Sequence, residues 1–351
     1  MNITRRQTLM LGAATASAVA LPGCGDDDPE VVIDDSLPVG PFGAESTGEE
    51  VTEGQDLSDR VVLVTGCNSG LGFETMRVLA KRGAHVLGTG RTLEKAQAAC
   101  ESVDGKTTPL VLELSDFQSA VDCAASVAAL GVTPDTLVLN AGINTFGDLE
   151  LVNGIEKIFV VNYLGHFVLV NQLLPMMREQ GKGRIVHVSS RSGYMQAPEV
   201  GIDFDNLRGE KAFDSGEAYG RSKLANALFS LELAERLEGT EITSNSIHPG
   251  LVKTNIARTA PTFIRTAFNL FGDVIAKSPA EGSATQLYVA THPTLDGVSG
   301  AYFEDCNPVK VLVPNHMTDA AMAKRLWSVA EEMTAGYLVE SPKYSGSPGA
   351  R

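Results

Sequence analysis

The feature that most constrains the fold is a glycine-rich turn between an apolar run and a helical stretch. The run Val61 to Val64 is followed at once by Thr65-Gly66-Cys67-Asn68-Ser69-Gly70-Leu71-Gly72. Continuous apolar runs suit parallel strands buried on both faces. Glycines after such a strand let the backbone approach a phosphate at the N-terminus of the next helix. The pattern predicts the start of a nucleotide-binding βαβ unit, although similar turns also occur where nothing binds.

Strand-like and helix-like stretches go on alternating along the chain. Because alternation of this kind implies a parallel sheet with helices on both faces, we predict an α/β, doubly wound (Rossmann) fold with a seven-stranded parallel sheet in a single domain. The predicted strands are 61–65, 84–89, 107–114 and 135–140, and the predicted helices are 70–82, 93–101 and 116–130.

The charge of the chain is unevenly distributed. Of the 43 acidic residues, 12 lie within 25–59, where there is no Lys or Arg. Like charges with few large apolar side chains are typical of a flexible spacer. No Lys/Arg-rich run suggests a nucleic-acid partner. The predicted organisation is a targeting segment at 1–24, an acidic flexible linker at 25–58, the folded domain at 59–335 and a flexible tail at 336–351.

The first residues are typical of an export signal. Arg5 and Arg6 precede a modest apolar run, and the run ends at a small residue before Cys24. Twin arginines indicate the bacterial route for folded proteins, and the cysteine indicates a lipoprotein cleavage site. We expect an exported protein on the cell envelope whose membrane contact is a lipid anchor at Cys24. The alternatives are a disordered leader and a cytoplasmic protein.

Tyr219 and Lys223 are spaced for acid/base chemistry. Residues four apart on a helix lie on one face. A phenol has a pKa of about 10, and a nearby cation lowers a pKa by about 1–3 units. A surface pair that merely shares a helical face is the alternative.

Arg91 bears on the choice of nucleotide. It follows the predicted second strand, where dinucleotide-binding proteins that use NAD carry an acidic residue. A guanidinium there can bind a 2′-phosphate through charge-assisted hydrogen bonds. The sequence therefore favours NADP (NADPH), with a solvated surface arginine as the alternative.

Six motifs follow one another along residues 58 to 335: the glycine-rich turn, Asn140-Ala141-Gly142, Asn162, Ser190, Tyr219-x-x-x-Lys223 and His248-Pro249-Gly250. In this order they resemble the short-chain dehydrogenase/reductase family. The closest resemblance is to its retinol-dehydrogenase-like branch, through segments such as 203–207, 222–226, 248–254 and 299–303.

The resemblance implies a catalytic role for four residues. Tyr219 would be the general acid/base, and Lys223 its activator and a ligand of the nicotinamide ribose. Ser190, with Ser189 as its competitor, would bind the substrate oxygen, and Asn162 would hold a water. The cofactor contacts implied are Gly66, Ser69, Gly70, Leu71, Gly72, Arg91, Leu114, Asn140, Ala141, Gly142, Tyr219, Lys223, Pro249 and Val252.

Two departures from the family pattern, Glu113 and Leu139, concern cofactor fit. The histidines, including His166, show no metal-ligand spacing and are interpreted as packing residues.

The expected function is NADP(H)-dependent interconversion of a carbonyl and an alcohol on an apolar small molecule. Apolar side chains at 263–271 suggest that 255–278, with the 28 residues between Ser190 and Tyr219, forms the substrate pocket, and ordinary packing of a lid helix onto the sheet is the alternative. A non-enzymatic NADP-binding sensor or scaffold on the same fold is the alternative. A homo-oligomer is left open.

Overall fold

The computed structural model describes residues 31–252, 276–312 and 314–339. The predicted targeting segment, including Cys24, lies outside the described residues. So do the start of the acidic linker, residues 340–351 of the tail, and 255–275 of the second substrate segment.

One large sheet forms the centre of the protein. Seven strands run parallel in the order β4-β3-β2-β5-β8-β9-β10, and β11 and β1 continue the sheet in antiparallel pairing beyond β10. A separate hairpin is formed by β6 and β7. The strands are β1 Val31–Ile33, β2 Val61–Val64, β3 His85–Gly90, β4 Thr107–Val111, β5 Thr136–Leu139, β6 Leu151–Val152, β7 Ile155–Glu156, β8 Lys182–Val188, β9 Glu241–His248, β10 Tyr302–Glu304 and β11 Asn307–Val311.

The predicted doubly wound α/β fold is confirmed, with two strands more than the seven predicted. A tight turn at Asp305 and Cys306, with φ of 49° and 62°, reverses the chain from β10 into β11. Val31 of β1 then pairs opposite Val311 of β11. Strands this short carry too few residues for a period-2 pattern to stand out, so the sequence did not reveal them.

Helices cover both faces of the sheet. Along β2, Leu63 packs into one core and Val62 and Val64 pack into the other, because successive side chains of a strand point to opposite faces. The helices are α1 Gly48–Val51, α2 Gly70–Lys81, α3 Leu93–Glu101, α4 Phe117–Ala129, α5 Lys157–Phe159, α6 Gly165–Gln180, α7 Ser192–Met195, α8 Ser215–Arg236, α9 Pro279–Gly282, α10 Ala284–Thr291 and α11 Ala320–Met333, with 3₁₀ turns at Phe204–Asn206, Pro293–Leu295 and Ala335–Tyr337.

From residue 31 onward, the predicted flexible linker is folded onto the domain, which corrects that prediction. Thr47 and Glu50 form a capping box that starts α1. Glu49 forms ion pairs with Arg77 and Lys81 of α2 at 2.7 and 2.6 Å. Two of the acidic side chains that were expected to repel one another, Glu49 and Asp34, therefore have cationic partners on the domain. The prediction failed because those partners lie far along the chain.

The predicted tail is also partly ordered. Gln172 of α6 donates a 2.6 Å hydrogen bond to the carbonyl oxygen of Tyr337, and the Tyr337 ring packs edge-on against Phe117. Residues 336–339 therefore belong to the folded part of the described chain.

A helical stretch over Lys157–Gln180 has the length and hydropathy of a membrane-spanning helix. Its most apolar window is 83% buried inside the protein. It is packed as the core helix of a folded domain, since Phe167, Leu169 and Leu173 belong to the main hydrophobic cluster.

Candidate functional site

Helix α8 carries the predicted acid/base pair. Asp214 accepts a hydrogen bond from the Glu217 amide and caps the start of the helix. Tyr219 and Lys223 follow one turn apart, and only 9% of Tyr219 and 3% of Lys223 are exposed. Because both lie on the buried face of α8 near the carboxyl ends of β8 and β9, the structure brings the pair to the sheet edge where doubly wound folds bind ligands.

The ammonium of Lys223 is held at the end of β8. Its Nζ donates a 2.9 Å hydrogen bond to the carbonyl oxygen of Val188, which also accepts from Asn226 Nδ2 at 3.2 Å. Burial disfavours the charged form and lowers the pKa of Lys223 to about 8. The group is therefore still mostly protonated near neutral pH.

The phenol of Tyr219 is a buried group. Burial raises its pKa well above the usual range, and the neighbouring Ser190 side chain opposes that rise only in part. The Lys223 Nζ lies 5.6 Å from the centre of the Tyr219 ring. Desolvation is the largest effect on this pKa in the described arrangement, and the lowering by the lysine stays a prediction.

The structure distinguishes the two neighbouring serines. Ser189 is 1% exposed, and its Oγ donates a 2.6 Å hydrogen bond to the carbonyl oxygen of Lys223. Ser190 is half-buried and interacts with the Tyr219 phenol. Ser189 therefore ties β8 to α8, and Ser190 is the serine beside the acid/base residue.

Asn162 lies in a π-helical turn, Val160–Leu164, between α5 and α6. Its side chain accepts from the Ile143 amide at 2.7 Å and donates to the Ile143 carbonyl oxygen and to Ser222 Oγ, both at 2.9 Å. A Cβ atom at Gly142 would come within 3.2 Å of Asn162 Oδ1 and 3.5 Å of Lys223 Nζ. The glycine thus keeps open a space that borders both polar groups.

His166 is a residue whose contribution the sequence analysis missed. Its Nδ1 lies 3.2 Å from the carbonyl oxygen of Asn162, and its Nε2 lies 3.0 Å from Thr65 Oγ1. A carbonyl only accepts, so Nδ1 carries the proton and Nε2 accepts from the Thr65 hydroxyl. Burial lowers the pKa of His166 to about 4, which keeps the ring neutral. The histidine connects the glycine-rich turn to the Asn162 turn, a contact that local spacing gives no sign of.

The glycine-rich turn is held by neighbouring strands and requires glycine. Gly66 has a φ of +74°, and a Cβ at Gly72 would overlap the Gly66 carbonyl oxygen and lie 2.5 Å from Asn140 Nδ2. Asn140 donates to the Thr65 carbonyl oxygen at 2.9 Å. The turn leads into the N-terminus of α2, where Ser69 makes no side-chain cap and the first amides of the helix are available for an anion.

The other predicted cofactor contacts surround this turn. Val252 and Leu71 lie against Gly282, where a Cβ would come within 2.6 Å of Val252 and 2.7 Å of Leu71. Leu114 is buried against Gly165 at the start of α6. Arg91 is exposed at the end of β3, and Pro249 is half-buried after β9. The predicted residues thus lie along the carboxyl edge of the sheet.

The arrangement of these residues fits a dinucleotide. A glycine-lined approach to a helix N-terminus suits a pyrophosphate, and the space bordered by Gly142, Asn162 and Lys223 lies at the neighbouring strand end. Within the described ranges, no group of three or more His, Cys, Asp or Glu side chains could hold a metal ion.

Comparison with known proteins shows to which family the chain belongs. The family model described as short chain dehydrogenase matches residues 60–202. Retinol dehydrogenase 14 of Mus musculus is 37% identical, over 79% of this chain and 86% of its own length. The chloroplastic short-chain dehydrogenase TIC 32 B of Brassica napus is 39% identical, over 82% of this chain and 92% of its own length.

Solved structures agree in fold. A crystal structure of an uncharacterized protein from Mycobacterium Paratuberculosis superposes with a TM-score of 0.65 at 29% identity, covering 81% of this chain and 97% of that one. A structure from Beutenbergia cavernae is described as an NAD(P) dependent gluconate 5-dehydrogenase with bound NADP. It has a TM-score of 0.55 at 26% identity, and the match covers 71% of this chain and 96% of that one. The chain belongs to the short-chain dehydrogenase family of oxidoreductases and has retinol-dehydrogenase-like relatives.

Proposed function

We propose that this protein interconverts a carbonyl and an alcohol on an apolar small molecule with NADP(H), using Tyr219 as the general acid/base. The observation that carries the proposal is a group of four side chains. Tyr219 and Lys223 lie on the buried side of α8, Ser190 follows the end of β8, and Asn162 lies beside them. When bound, the nicotinamide supplies or accepts the hydride.

Each residue of the group has a separate task in this proposal. Ser190 binds the substrate oxygen and orients it toward the Tyr219 hydroxyl, which gives or takes the proton. Lys223 supplies positive charge near the phenol and donates hydrogen bonds to the ribose. Asn162 holds the Ile143 backbone and the start of α8 through Ser222, so that the space beside Lys223 keeps its shape.

Two observations support an apolar substrate. Met195, Val200 and Leu251 lie on segments that leave the carboxyl edge of the sheet, and they are 45%, 62% and 55% exposed. Large exposed apolar side chains near a site favour contact with an apolar ligand. The name of the mouse relative also refers to retinol, an apolar alcohol.

A screen of apolar alcohols, aldehydes and ketones with purified protein tests the proposal, with nicotinamide absorbance as the readout. We expect turnover with at least one apolar member, and turnover lower by roughly 10²–10⁴-fold with Tyr219→Phe as the matched control. Cofactor binding without turnover across the whole screen would favour the sensor or scaffold alternative.

The end of β3 supports NADP(H) over NAD(H). Arg91 is exposed there and makes no ion pair with the residues that the structure describes. Helix α3 begins two residues later, and Lys95 in its first turn lines a cavity of about 310 Å³ together with Asn68 of the glycine-rich turn. Two cations beside a helix N-terminus suit a phosphate.

Arg91→Ala is expected to weaken NADP(H) binding and to leave NAD(H) binding nearly unchanged. A charge-assisted hydrogen bond is worth about 1.5–3 kcal/mol, so Kd for NADP(H) should rise roughly 10- to 150-fold. Titration of both nucleotides by intrinsic fluorescence or calorimetry measures this. An equal loss for the two nucleotides, or a wild type that prefers NAD(H), would show that the 2′-phosphate does not bind here.

We also propose export of the folded, cofactor-loaded protein, on the basis of Arg5, Arg6 and Cys24. Arg5→Lys combined with Arg6→Lys should leave the protein in the cytoplasm, as measured by cell fractionation. Protein taken from the envelope should keep NADP(H) through gel filtration. Unchanged export of the double variant, or nucleotide-free protein in the envelope, would count against the proposal.

A further inference from the structure

A buried carboxylate lies close to the predicted substrate-binding serine. Glu304 ends β10 and is 3% exposed. Its Oε2 accepts a hydrogen bond from Arg191 Nε at 2.7 Å, and Arg191 Nη2 lies 2.7 Å from the same oxygen. Its Oε1 accepts from the hydroxyls of Tyr194 at 2.8 Å and Tyr302 at 3.1 Å. Both carboxylate oxygens therefore have strong donors.

Two of those donors belong to the segment that begins with Ser190. Arg191 follows Ser190 directly, and Tyr194 lies in α7, a helix of only four residues. Such a short helix is not stable by itself. Contacts from outside must therefore hold it in place.

The same segment is also packed on the catalytic helix. A Cβ at Gly193 would come within 3.0 Å of the Leu224 amide nitrogen, and a Cβ at Gly220 would overlap the backbone of Gln196 and Ala197. The segment 190–197 is thus clamped by contacts with α8 and with Glu304. Steric contact limits how closely it approaches α8, and the hydrogen bonds to Glu304 add a polar restraint.

The position of Ser190 depends on this clamp. The Ser190 carbonyl oxygen accepts from the Gly193 amide at 2.9 Å, and its Oγ accepts from the Ser192 amide at 3.2 Å. Displacement of α7 would therefore carry the Ser190 hydroxyl with it. Glu304 is the buried partner of this ion pair, whereas the Arg191 side chain is 49% exposed, so loss of the Glu304 charge weakens the charge-assisted hydrogen bonds that hold the segment.

We propose that Glu304 is a positioning residue for this reaction: through Arg191 and Tyr194 it holds α7 so that the Ser190 hydroxyl stays at the Tyr219 phenol. The proposal rests on the proposed function of Ser190 and adds to it a carboxylate from the last parallel strand. Glu304 does not touch the reacting atoms, so it acts only through the serine.

Hydrogen–deuterium exchange tests the placement without any substrate. Amides of residues 193–197 donate to carbonyl oxygens of residues 190–192 at 2.9–3.1 Å. Glu304→Gln keeps the shape but removes the charge. It should increase exchange in a peptide covering 190–197, with no change over 61–72. Tyr302→Phe is the matched control, because it removes a bond to the same carboxylate from β10 itself, and it should leave exchange in 190–197 near the wild-type rate.

Turnover then tests the link to Ser190. Glu304→Gln and Tyr194→Phe should each lower kcat, the former roughly tenfold, as expected for a hydrogen bond to a charged group, while KM for the cofactor stays within about twofold. In a Ser190→Ala background, Glu304→Gln should have little further effect, because its influence passes through the missing hydroxyl.

Three outcomes would overturn the proposal. They are unchanged exchange in 190–197, a kcat within about twofold of wild type, and a full tenfold loss that persists in the Ser190→Ala background. Wild-type protein without turnover on any carbonyl or alcohol would count against the proposed function instead, and the exchange experiment would still decide whether Glu304 holds the segment.

Discussion

Tyr219→Phe is expected to remove nearly all turnover while cofactor binding stays close to that of the wild type. The hydroxyl is the proton donor and acceptor of the proposed reaction, and general acid/base catalysis contributes roughly 10²–10⁴-fold. The ring is buried beside Ser190, so phenylalanine fills the same space without a cavity. We expect kcat to fall by about that factor and Kd for NADP(H) to change by less than about threefold, within ordinary context effects.

Steady-state kinetics and nucleotide titration on the same preparation measure both quantities. Ser189→Ala is the matched control for a change at a neighbouring hydroxyl, since Ser189 bonds the backbone of α8 rather than the phenol. If Tyr219→Phe kept more than about a tenth of kcat, the general acid/base contribution would have to come from another group, and the assignment of Tyr219 would fail.

Lys223→Met should lower activity and cofactor affinity and at the same time stabilise the fold. Loss of charged hydrogen bonds to the ribose should raise Kd for NADP(H) about 10- to 100-fold, and kcat should fall strongly because the phenol loses its cation. The lowered pKa of about 8, against a usual 10.5, shows that burial opposes the charge. One unit of pKa shift corresponds to about 1.36 kcal/mol, so Lys223→Met should raise the free energy of unfolding by roughly 3 kcal/mol at neutral pH. Methionine leaves the Val188 carbonyl oxygen paired with Asn226.

The pH dependence of unfolding provides the decisive check on Lys223. Because its pKa is lowered in the folded state, the unfolded chain binds more protons between about pH 8 and 10.5, and wild-type stability rises with pH in that window. The stability advantage of Lys223→Met should therefore be largest below pH 8 and shrink toward pH 10.5. Chemical denaturation at several pH values measures it. A variant less stable than wild type at pH 7 would show that the lysine stabilises the resting fold.

Much of the architecture follows from local pattern. The glycine-rich turn after Val61 to Val64 and the alternating runs predicted β2, α2 and β3 with boundaries close to those observed. The spacing of Tyr219 and Lys223 placed both on one helical face. These features depend on periodicity and on steric demands of single residues, which are properties of neighbouring positions in the chain.

Long-range contacts decided what the sequence could not show. Strand β1 pairs with β11 although Val31 and Val311 lie 280 positions apart, whereas β11 itself folds back on β10 through a tight local turn. The acidic segment is held on the domain because Val51 and Leu57 are buried in the core and Glu49 meets Arg77 and Lys81. Spacing alone could not predict either of these, since the partner residues are remote in the chain.

At the site, the sequence by itself determined which chemical groups are available and on which elements they lie. The tertiary structure alone decided the pKa shifts of these groups and the contacts that hold them in place. Burial raises the pKa of Tyr219 against the expected effect of Lys223, the bond of Ser189 to the Lys223 backbone leaves Ser190 beside the phenol, and Glu304 reaches the same segment from β10. Desolvation and hydrogen-bond partners depend on what surrounds a group in space, and residues far apart in sequence supply those surroundings.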